Sequence, residues 1–167
     1  MSVSYQLPDG ATMEFDQPAS ALDIPGRINK KLAKQALAAK ANDNLIDVYL
    51  PIDDGATVEI ITRETDEALE LIRHDAAHVM AEAIQRIRPT AKLVYGPALD
   101  NGFYYDISFD GTEPLSSEEF EAIEKEMATI IKDNRPFTRY ELDIVQGMKK
   151  LQTEGSKYKI DNAQRAI

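Results

Sequence analysis

Two hairpin signals on either side of a long helical stretch limit most strongly what this chain can fold into. An Asp-Gly pair at residues 9–10 separates the segments VSYQLP and ATMEFD, and Asp-Asn-Gly at 100–102 separates KLVYGPAL from FYYDISF. Both turn sequences adopt positive φ at little cost, so each predicts a tight β-hairpin. A helix is predicted between them, beginning near Thr65 and ending before Pro89. The pattern predicts an α+β chain.

The first 62 residues are predicted to form one compact α+β module. The hairpin is followed by a single helical stretch that ends near Lys34, and then by the strand-like segments ALAAKAN, NLIDVYLPI and ATVEIITR. Their β-branched residues favour strands, and the intervening Asn-Asp-Asn and Asp-Asp-Gly sequences favour turns.

The helix that begins near Thr65 is expected to pack on its own domain through one apolar stripe. His74 lies about 160° around the helix axis from Ile72, whereas His78 lies only about 40° from His74. The two histidines therefore share a face that is not the packing face. The predicted stripe consists of Leu69, Ile72, Ala76, Val79, Ala83 and Ile87.

Residues 63–167 are predicted to form a second α+β domain. FYYDISF is expected to be one continuous strand in which alternate residues from Phe103 to Phe109, including Tyr105, share one face. Ser116 and Glu119 predict a capping box ahead of a helix whose apolar stripe runs from Phe120 to Ile130. RPFTRYELD is predicted to be a further strand and IVQGMKKLQTEG a short helix.

Composition excludes several classes of site. The chain has no cysteine, so disulfides and thiolate chemistry are excluded within it, and a metal would need histidine or carboxylate ligands. The formal net charge of -10 argues against nonspecific binding of nucleic acid through the field of the whole molecule. No apolar run approaches the roughly 20 residues that span a membrane, and the segment MSVSYQLPDG lacks the pattern of a secretory signal. We therefore expect a cytoplasmic protein with no membrane partner.

The segment RINKKLAKQALAAK departs from the acidic composition of the chain, because it contains five basic residues and no acidic one. It is either a solvated helix face or a local surface that contacts RNA, and the sequence leaves both interpretations open. The five residues are Arg27, Lys30, Lys31, Lys34 and Lys40.

The only two histidines, His74 and His78, lie four positions apart on one helix face, where their side chains could hold a metal or act together in catalysis. A metalloprotease would carry Glu directly after the first histidine, but Asp75 stands there, one methylene shorter. Phosphohydrolases of the HD class also use a His-Asp pair, but they need an additional upstream histidine, which is missing. A third interpretation is that the histidines lie half exposed beside Asp75 and Glu82 and affect only solubility.

The neighbouring motifs resemble a known family. Residues 1–62 resemble a TGS domain, the β-grasp module of threonyl-tRNA synthetases and of certain GTPases and stringent-response enzymes. RHDAAHVMAEAIQRIRPTAKLVYGPALDNGFYYDI resembles the opening of the editing domain of bacterial threonyl-tRNA synthetases, with R-H-x-x-x-H followed by G-P-x-x-D-N-G-F-Y-Y-D. EGSKYKI resembles a later E-x-x-Y-K-x segment of the same family.

The resemblance implies a β-grasp domain at 1–62 followed by an editing domain at 63–167, truncated at its carboxyl-terminal side. The family completes its editing site with a Cys-x-x-x-His element, which this chain lacks. We therefore expect an amino-terminal piece of an enzyme that charges tRNA(Thr) with L-threonine. ATP, Mg and zinc are expected to serve the catalytic domain of the full-length enzyme, which the resemblance implies is a homodimer.

The resemblance also assigns roles to residues. His74 and His78 are expected to hold or activate a water that hydrolyses mischarged seryl-tRNA(Thr), and Lys159 to help position water or substrate. Tyr105 is expected to contact the terminal adenosine or the aminoacyl group, although a core tyrosine is an equal alternative at that position. No metal is predicted at the histidine pair. The competing hypothesis is a TGS-type binding or regulatory module in which the histidines are incidental.

Overall fold

The computed structural model describes residues 2–136, 138 and 140–166. It divides into two compact units, Met1–Leu71 and Ile72–Ile167. Both units combine helices and strands, so the predicted α+β class is confirmed. The predicted domain boundary between residues 62 and 63 stays a prediction, because the division between the units falls inside a continuous helix.

The first unit begins with the predicted hairpin. Strands β1 (Val3–Gln6) and β2 (Thr12–Phe15) pair antiparallel. Gly10 adopts a φ of 84°, which is the conformation that the Asp-Gly sequence favours. The Asp9 carboxylate accepts a hydrogen bond from the Ala11 amide at 2.9 Å, which fixes the turn.

The predicted single helix before residue 35 is instead two short helices. They are α1 (Asp23–Ile28) and α2 (Lys30–Gln35), with Asn29 in an extended conformation between them at φ -167° and ψ 154°. The Asn29 side chain accepts a hydrogen bond from the Leu32 amide at 2.7 Å, so it caps the second helix. This local capping competes with continuation of the first helix, so the segment forms two short helices instead of one.

A three-stranded antiparallel sheet follows, made of β3 (Ala36–Ala41), β4 (Asn44–Ile46) and β5 (Val58–Thr62). The strand order is β4-β3-β5. Tyr5 is fully buried in the core of this unit, and its hydroxyl donates to the Ile52 carbonyl at 3.1 Å and accepts from the Ala19 amide at 2.9 Å. The buried core comprises Val3, Tyr5, Ala19, Ala21, Ile24, Ala39, Ile52, Ala56 and Val58.

Helix α3 (Asp66–Ile87) is the long predicted helix, but part of its predicted packing stripe is wrong. Leu69 and Ile72 are 48% and 43% exposed, whereas Ala68 is fully buried against Ala38 and Ile61. The helix buries mainly alanines, which let backbones approach closely, and the larger apolar side chains lie at the edge of the contact. The buried residues of the helix are Ala68, Ala77, Ala81, Ala83 and Ile84.

The second predicted hairpin forms, but FYYDISF is not one continuous strand. β6 (Lys92–Tyr95) pairs with β9 (Asp106–Ser108), and β7 (Ala98–Leu99) pairs with β8 (Gly102–Phe103). The Gly-Pro sequence at residues 96–97 separates β6 from β7, and Tyr104-Tyr105 separates β8 from β9. Proline has no amide hydrogen for a strand ladder, so both partners break at the same level of the hairpin.

The predicted capping box is present, because the Glu119 carboxylate accepts from the Ser116 amide at 3.0 Å and the reciprocal bond also forms. A short 3₁₀ turn, Ser117–Glu119, leads into α4 (Phe120–Asp133). Phe120 is 55% exposed and does not belong to the buried stripe as predicted. The core here comprises Ala83, Ile84, Ala91, Ile123 and Ile130.

Two helices follow, α5 (Ile144–Thr153) and α6 (Lys157–Ala166). The predicted short helix is therefore confirmed. The strand predicted in RPFTRYELD is not seen in the described residues of that segment, while Phe137 and Arg139 lie outside the described residues. The Asp143 side chain accepts from the Gln146 amide at 2.8 Å and starts α5 instead.

Candidate active site

Helix α3 brings the two histidines into direct contact. The Nε2 atoms of His74 and His78 lie 2.9 Å apart, and the ring centroids lie 4.7 Å apart with the planes at 65°. At that distance one Nε2 donates a proton and the other accepts it, so the two rings share one hydrogen bond. Both side chains are exposed, as the predicted helix face requires.

The surroundings of His78 favour its neutral form. Partial loss of solvation lowers the pKa of His78 below its ordinary value, and the positive potentials of His74 and Lys159 lower this pKa further. The charge of Asp75 acts in the opposite direction but does not reverse the shift. A ring with a lowered pKa loses its proton more readily, and when the Nε2–H of His78 donates to His74, the lone pair on Nδ1 of His78 is free to accept a proton.

Helix α6 contributes Lys159, which is exposed. This lysine is close enough for its charge to lower the pKa of His78, although the two residues are far apart in the sequence. Lys159 also lines a groove of about 560 Å³ between α5 and α6. The structure therefore brings three of the four predicted site residues into one electrostatic neighbourhood.

Arg73 was not singled out from the sequence, yet it fixes the hairpin next to the histidine helix. Its guanidinium donates to the Leu99 carbonyl at 3.2 Å and also to the Asp100 carbonyl. Leu99 is the last residue of β7, and Asp100 is the first residue of the β7–β8 turn. The available signal was the position of Arg73 directly before His74 in the motif.

Tyr105 packs against a glycine rather than within a strand. A Cβ atom added at Gly96 would lie 2.3 Å from Cδ2 of the Tyr105 ring, so only glycine allows this contact. The ring is half-buried, and burial raises the pKa of the Tyr105 hydroxyl. Among residues 2–136, 138 and 140–166 its hydroxyl has no hydrogen-bond partner, and no hydrogen bond or ring contact joins it to either histidine.

In the described part of the chain, no group of three or more His, Cys, Asp or Glu side chains is arranged to hold a metal ion. Two imidazoles supply half of a tetrahedral zinc site. The prediction that the histidine pair holds no metal stays a prediction.

The five basic residues of the RINKKLAKQALAAK segment differ in their partners. Lys40 forms an ion pair with Glu67 and lies 4.0 Å from Glu59. The Arg27 guanidinium lies 4.4 Å from the centroid of the Phe15 ring. The remaining three lysines are exposed, and within the described ranges none of them forms an ion pair; they are Lys30, Lys31 and Lys34.

Across the described residues, the helices are all too short or too polar to cross a membrane.

Comparisons with known proteins identify relatives of this chain. Residues 3–62 match the TGS domain family. The chain is 43% identical to a threonine-tRNA ligase of Rhizobium rhizogenes over 160 residues. The aligned region covers 96% of the chain and 24% of that relative. It is 42% identical over 159 residues to the Maricaulis maris ligase and 41% identical over 148 residues to the Enterococcus faecalis ligase, covering 95% and 89% of the chain.

The chain spans about a quarter of the length of these curated relatives, with 24% and 23% of the relatives covered. The TGS match confirms the β-grasp module that the first residues resemble. Residues 3–62 are therefore a TGS domain, and the chain is related over nearly its whole length to the amino-terminal region of threonine-tRNA ligases.

Proposed function

We propose that this chain provides the proofreading part of a threonine-tRNA ligase and hydrolyses serine from mischarged tRNA(Thr). The observation that carries the proposal is the hydrogen-bonded imidazole pair of His74 and His78, exposed on α3 with Lys159 within electrostatic reach. The similarity to threonine-tRNA ligases over 96% of the chain supports the choice of substrate. Residues 63–167 are proposed to be the editing domain and residues 1–62 the TGS domain.

The need for such a site follows from the chemistry of the two amino acids. Serine is threonine without one methyl group, and a pocket that accepts threonine cannot exclude the smaller side chain by shape. One missing methylene gives only about 1 to 3 kcal/mol of discrimination. A second site that admits the seryl ester and excludes the threonyl ester removes the error by hydrolysis.

The histidine pair is suited to activating the water. A neutral His78 accepts a proton from the water, while the oxygen of that water attacks the carbonyl carbon of the seryl ester. The bond between that carbon and the ribose oxygen then breaks, and the ribose oxygen takes up the proton. The hydrogen bond to His74 fixes the orientation of the accepting ring at an Nε2–Nε2 distance of 2.9 Å.

Lys159 and Tyr105 are proposed to act on the substrate. The ammonium group of Lys159 stabilises the negative charge that develops on the ester oxygen during attack. Tyr105 has a hydroxyl without a protein hydrogen-bond partner among the described residues, so it is available to the terminal adenosine or to the seryl group. Arg73 is a positioning residue, because it binds the hairpin carbonyls rather than the substrate.

The activity of the whole enzyme is proposed from the relatives, whose name states that they ligate threonine to tRNA. We propose that the parent protein is a cytoplasmic homodimer that binds tRNA(Thr), L-threonine and ATP. ATP with Mg would activate threonine, and zinc would help to recognise it, in a catalytic domain separate from the residues described above.

A second candidate function is a TGS-type binding or regulatory module without catalysis. The observation that favours it is the row of three exposed lysines on α2, Lys30, Lys31 and Lys34, which have no ion pair within the described ranges. In that case the first unit would carry the function and the histidines would be incidental.

The two functions are separated by measuring serine release from seryl-tRNA(Thr). The chain would be tested alone and in a chimera where it replaces the matched region of the Rhizobium rhizogenes ligase. We expect the chimera to release serine and the chain alone to release it slowly, because the chain has no cysteine for the Cys-x-x-x-His element of the family. Loss of release in a folded His74→Ala chimera supports proofreading, and unchanged release supports the binding module.

A further inference from the structure

We propose that a small cationic cavity between strand β6 and the start of helix α6 binds an internucleotide phosphate of the tRNA 3′ end. The residues that line the cavity include Lys92, Lys157 and Lys159. This inference rests on the proposed proofreading function, because it names how the substrate is held beside the histidine pair.

The charges around the cavity favour an anion. Three lysines line it, and within the described ranges none of them forms an ion pair. The single carboxylate in the lining, Glu154, is paired with Lys150 on α5. The lining is therefore cationic in a chain whose net charge is -10, so its charge does not follow from the overall composition.

The size of the cavity limits what it can hold. Its volume is about 60 Å³, whereas pockets for whole drug-sized ligands have about 300 to 1,000 Å³. A nucleoside does not fit, but a group of phosphate size does. Lysine binds phosphate as a point charge through its ammonium donors, and Ser156, which also lines the cavity, carries a hydroxyl that can donate.

Lys159 connects the cavity to the candidate active site. It lines the cavity, and its charge also acts on the ring of His78. In an aminoacylated tRNA, the nearest anion to the ester is the phosphate that joins the terminal adenosine to the preceding nucleotide, one sugar away. A phosphate in the cavity would therefore place the ester next to the histidines.

Helix α6 adds a smaller contribution of the same sign. It begins at Lys157, and the first turn of a helix carries a partial positive charge. This contribution supports the lysines and does not define the site by itself.

The test compares two hydrolysis-resistant ligands that differ only in the phosphate. One is 3′-seryl-amino-3′-deoxyadenosine, and the other is the same compound carrying a 5′-phosphate methyl ester, which has the single charge of an internucleotide phosphate. Their affinities for the 167-residue chain would be measured by calorimetry. We expect the phosphorylated ligand to bind roughly 10-fold or more tightly, because it gains charge-assisted hydrogen bonds.

Charge-matched variants locate the effect. In Lys92→Gln/Lys157→Gln, we expect the phosphorylated and unphosphorylated ligands to bind with about equal affinity, because the lining loses two of its charged donors. Lys125→Gln/Lys132→Gln removes the same charge from exposed positions on α4 and is expected to keep the advantage. If the double cavity variant fails to fold by circular dichroism, Lys157→Gln alone tests the site, because Lys157 is exposed.

Three outcomes would overturn the proposal. The first is equal affinity of the chain for the two ligands, and the second is an equal loss of advantage in the cavity variant and the α4 variant. The third is inorganic phosphate binding in the cavity as tightly as the phosphorylated nucleotide, which would assign it to free phosphate. Failure of the proofreading function gives a different result, in which the phosphorylated ligand still binds more tightly but His74→Ala leaves serine release by the chimera unchanged.

Discussion

Two tyrosines in the two units of the molecule differ in a way that separates structural residues from candidate functional ones. Tyr5 is 0% exposed, and its hydroxyl both donates and accepts a hydrogen bond within the core. Tyr105 is half-buried against Gly96, and within the described ranges its hydroxyl has no partner. A hydroxyl with both bonds satisfied stabilises the fold, whereas a positioned hydroxyl without a partner is available to a ligand.

The same contrast extends to the regions around the two tyrosines. The first unit buries Tyr5 and Ile24 completely in a core closed by hairpin and sheet. The second unit buries mainly alanines along α3 and leaves its two histidines and Lys159 exposed. The chemistry is therefore expected in the second unit, on a rigid helix that does not use its polar face for packing.

The largest effect is expected from removing the proton acceptor. His78→Ala in the chimera should lower the rate of serine release by about 100- to 10,000-fold, the usual contribution of general base catalysis. Thermal unfolding of the variant should be nearly unchanged, because His78 is exposed. A folded variant with the parental rate would place the chemistry elsewhere.

The next largest effect is expected at Gly96, which lies against the ring of Tyr105. In Gly96→Ala the added methyl group would lie 2.3 Å from the ring of Tyr105, so the ring must move. We expect serine release to fall by about 10- to 100-fold, since misplacing a substrate-contacting group by about 1 Å has effects of that order. Gly147→Ala on α5 is the matched control, because its added Cβ meets nothing closer than 4.0 Å. Equal rates for the two variants would contradict a substrate role for Tyr105.

Replacing Tyr5 and Tyr105 by Phe, one at a time, tests the difference between the two hydroxyls through the free energy of unfolding. Tyr5→Phe leaves the Ile52 carbonyl and the Ala19 amide without their buried partner, which costs about 1 to 3 kcal/mol of unfolding free energy. Tyr105→Phe should cost less than about 0.5 kcal/mol, as expected for a change that breaks no hydrogen bond. Urea unfolding of both variants measures this difference, and equal costs would show that Tyr105 is also structural.

The smallest effect is expected on helix α2. Lys40 lies in β3 and is paired with Glu67, whereas the three lysines of α2 are exposed. Replacing Lys30, Lys31 and Lys34 by Gln should change the slope of log affinity for tRNA against log salt concentration by less than about 1, which is the contribution of one phosphate contact. A decrease in slope of about 2 to 3 would show that the three lysines contact phosphates and would favour the binding module.

Local features of the fold could be predicted from the sequence. The Asp-Gly turn at residues 9–10 and the capping box of Ser116 and Glu119 depend on residues within a few positions, and both are present. The contact between His74 and His78 follows from helix geometry alone and is also present. These features need no knowledge of tertiary structure.

Features that depend on distant partners could not be predicted. Tyr5 bonds to residues 14 and 47 positions away, and Gly96 meets the ring of Tyr105 across a hairpin. Leu69 is exposed because the adjacent side of α3, which carries Ala68, is the one that packs closely. Both sides of the helix carry apolar residues, so the sequence pattern does not distinguish them. Lys159 reaches His78 only because α6 folds back toward the region of α3, which local propensity does not encode.

The pH dependence of single-turnover serine release by the chimera tests the central claim most directly. Because the pKa of His78 is lowered, the ring loses its proton at a lower pH than an ordinary histidine, whose pKa is about 6.5. The rate should therefore rise with pH to a plateau, with a midpoint below about 6.5. This rise should be absent from the residual rate of His78→Ala. A midpoint above that value, or the same rise in His78→Ala, would contradict the assignment of His78 as the proton acceptor.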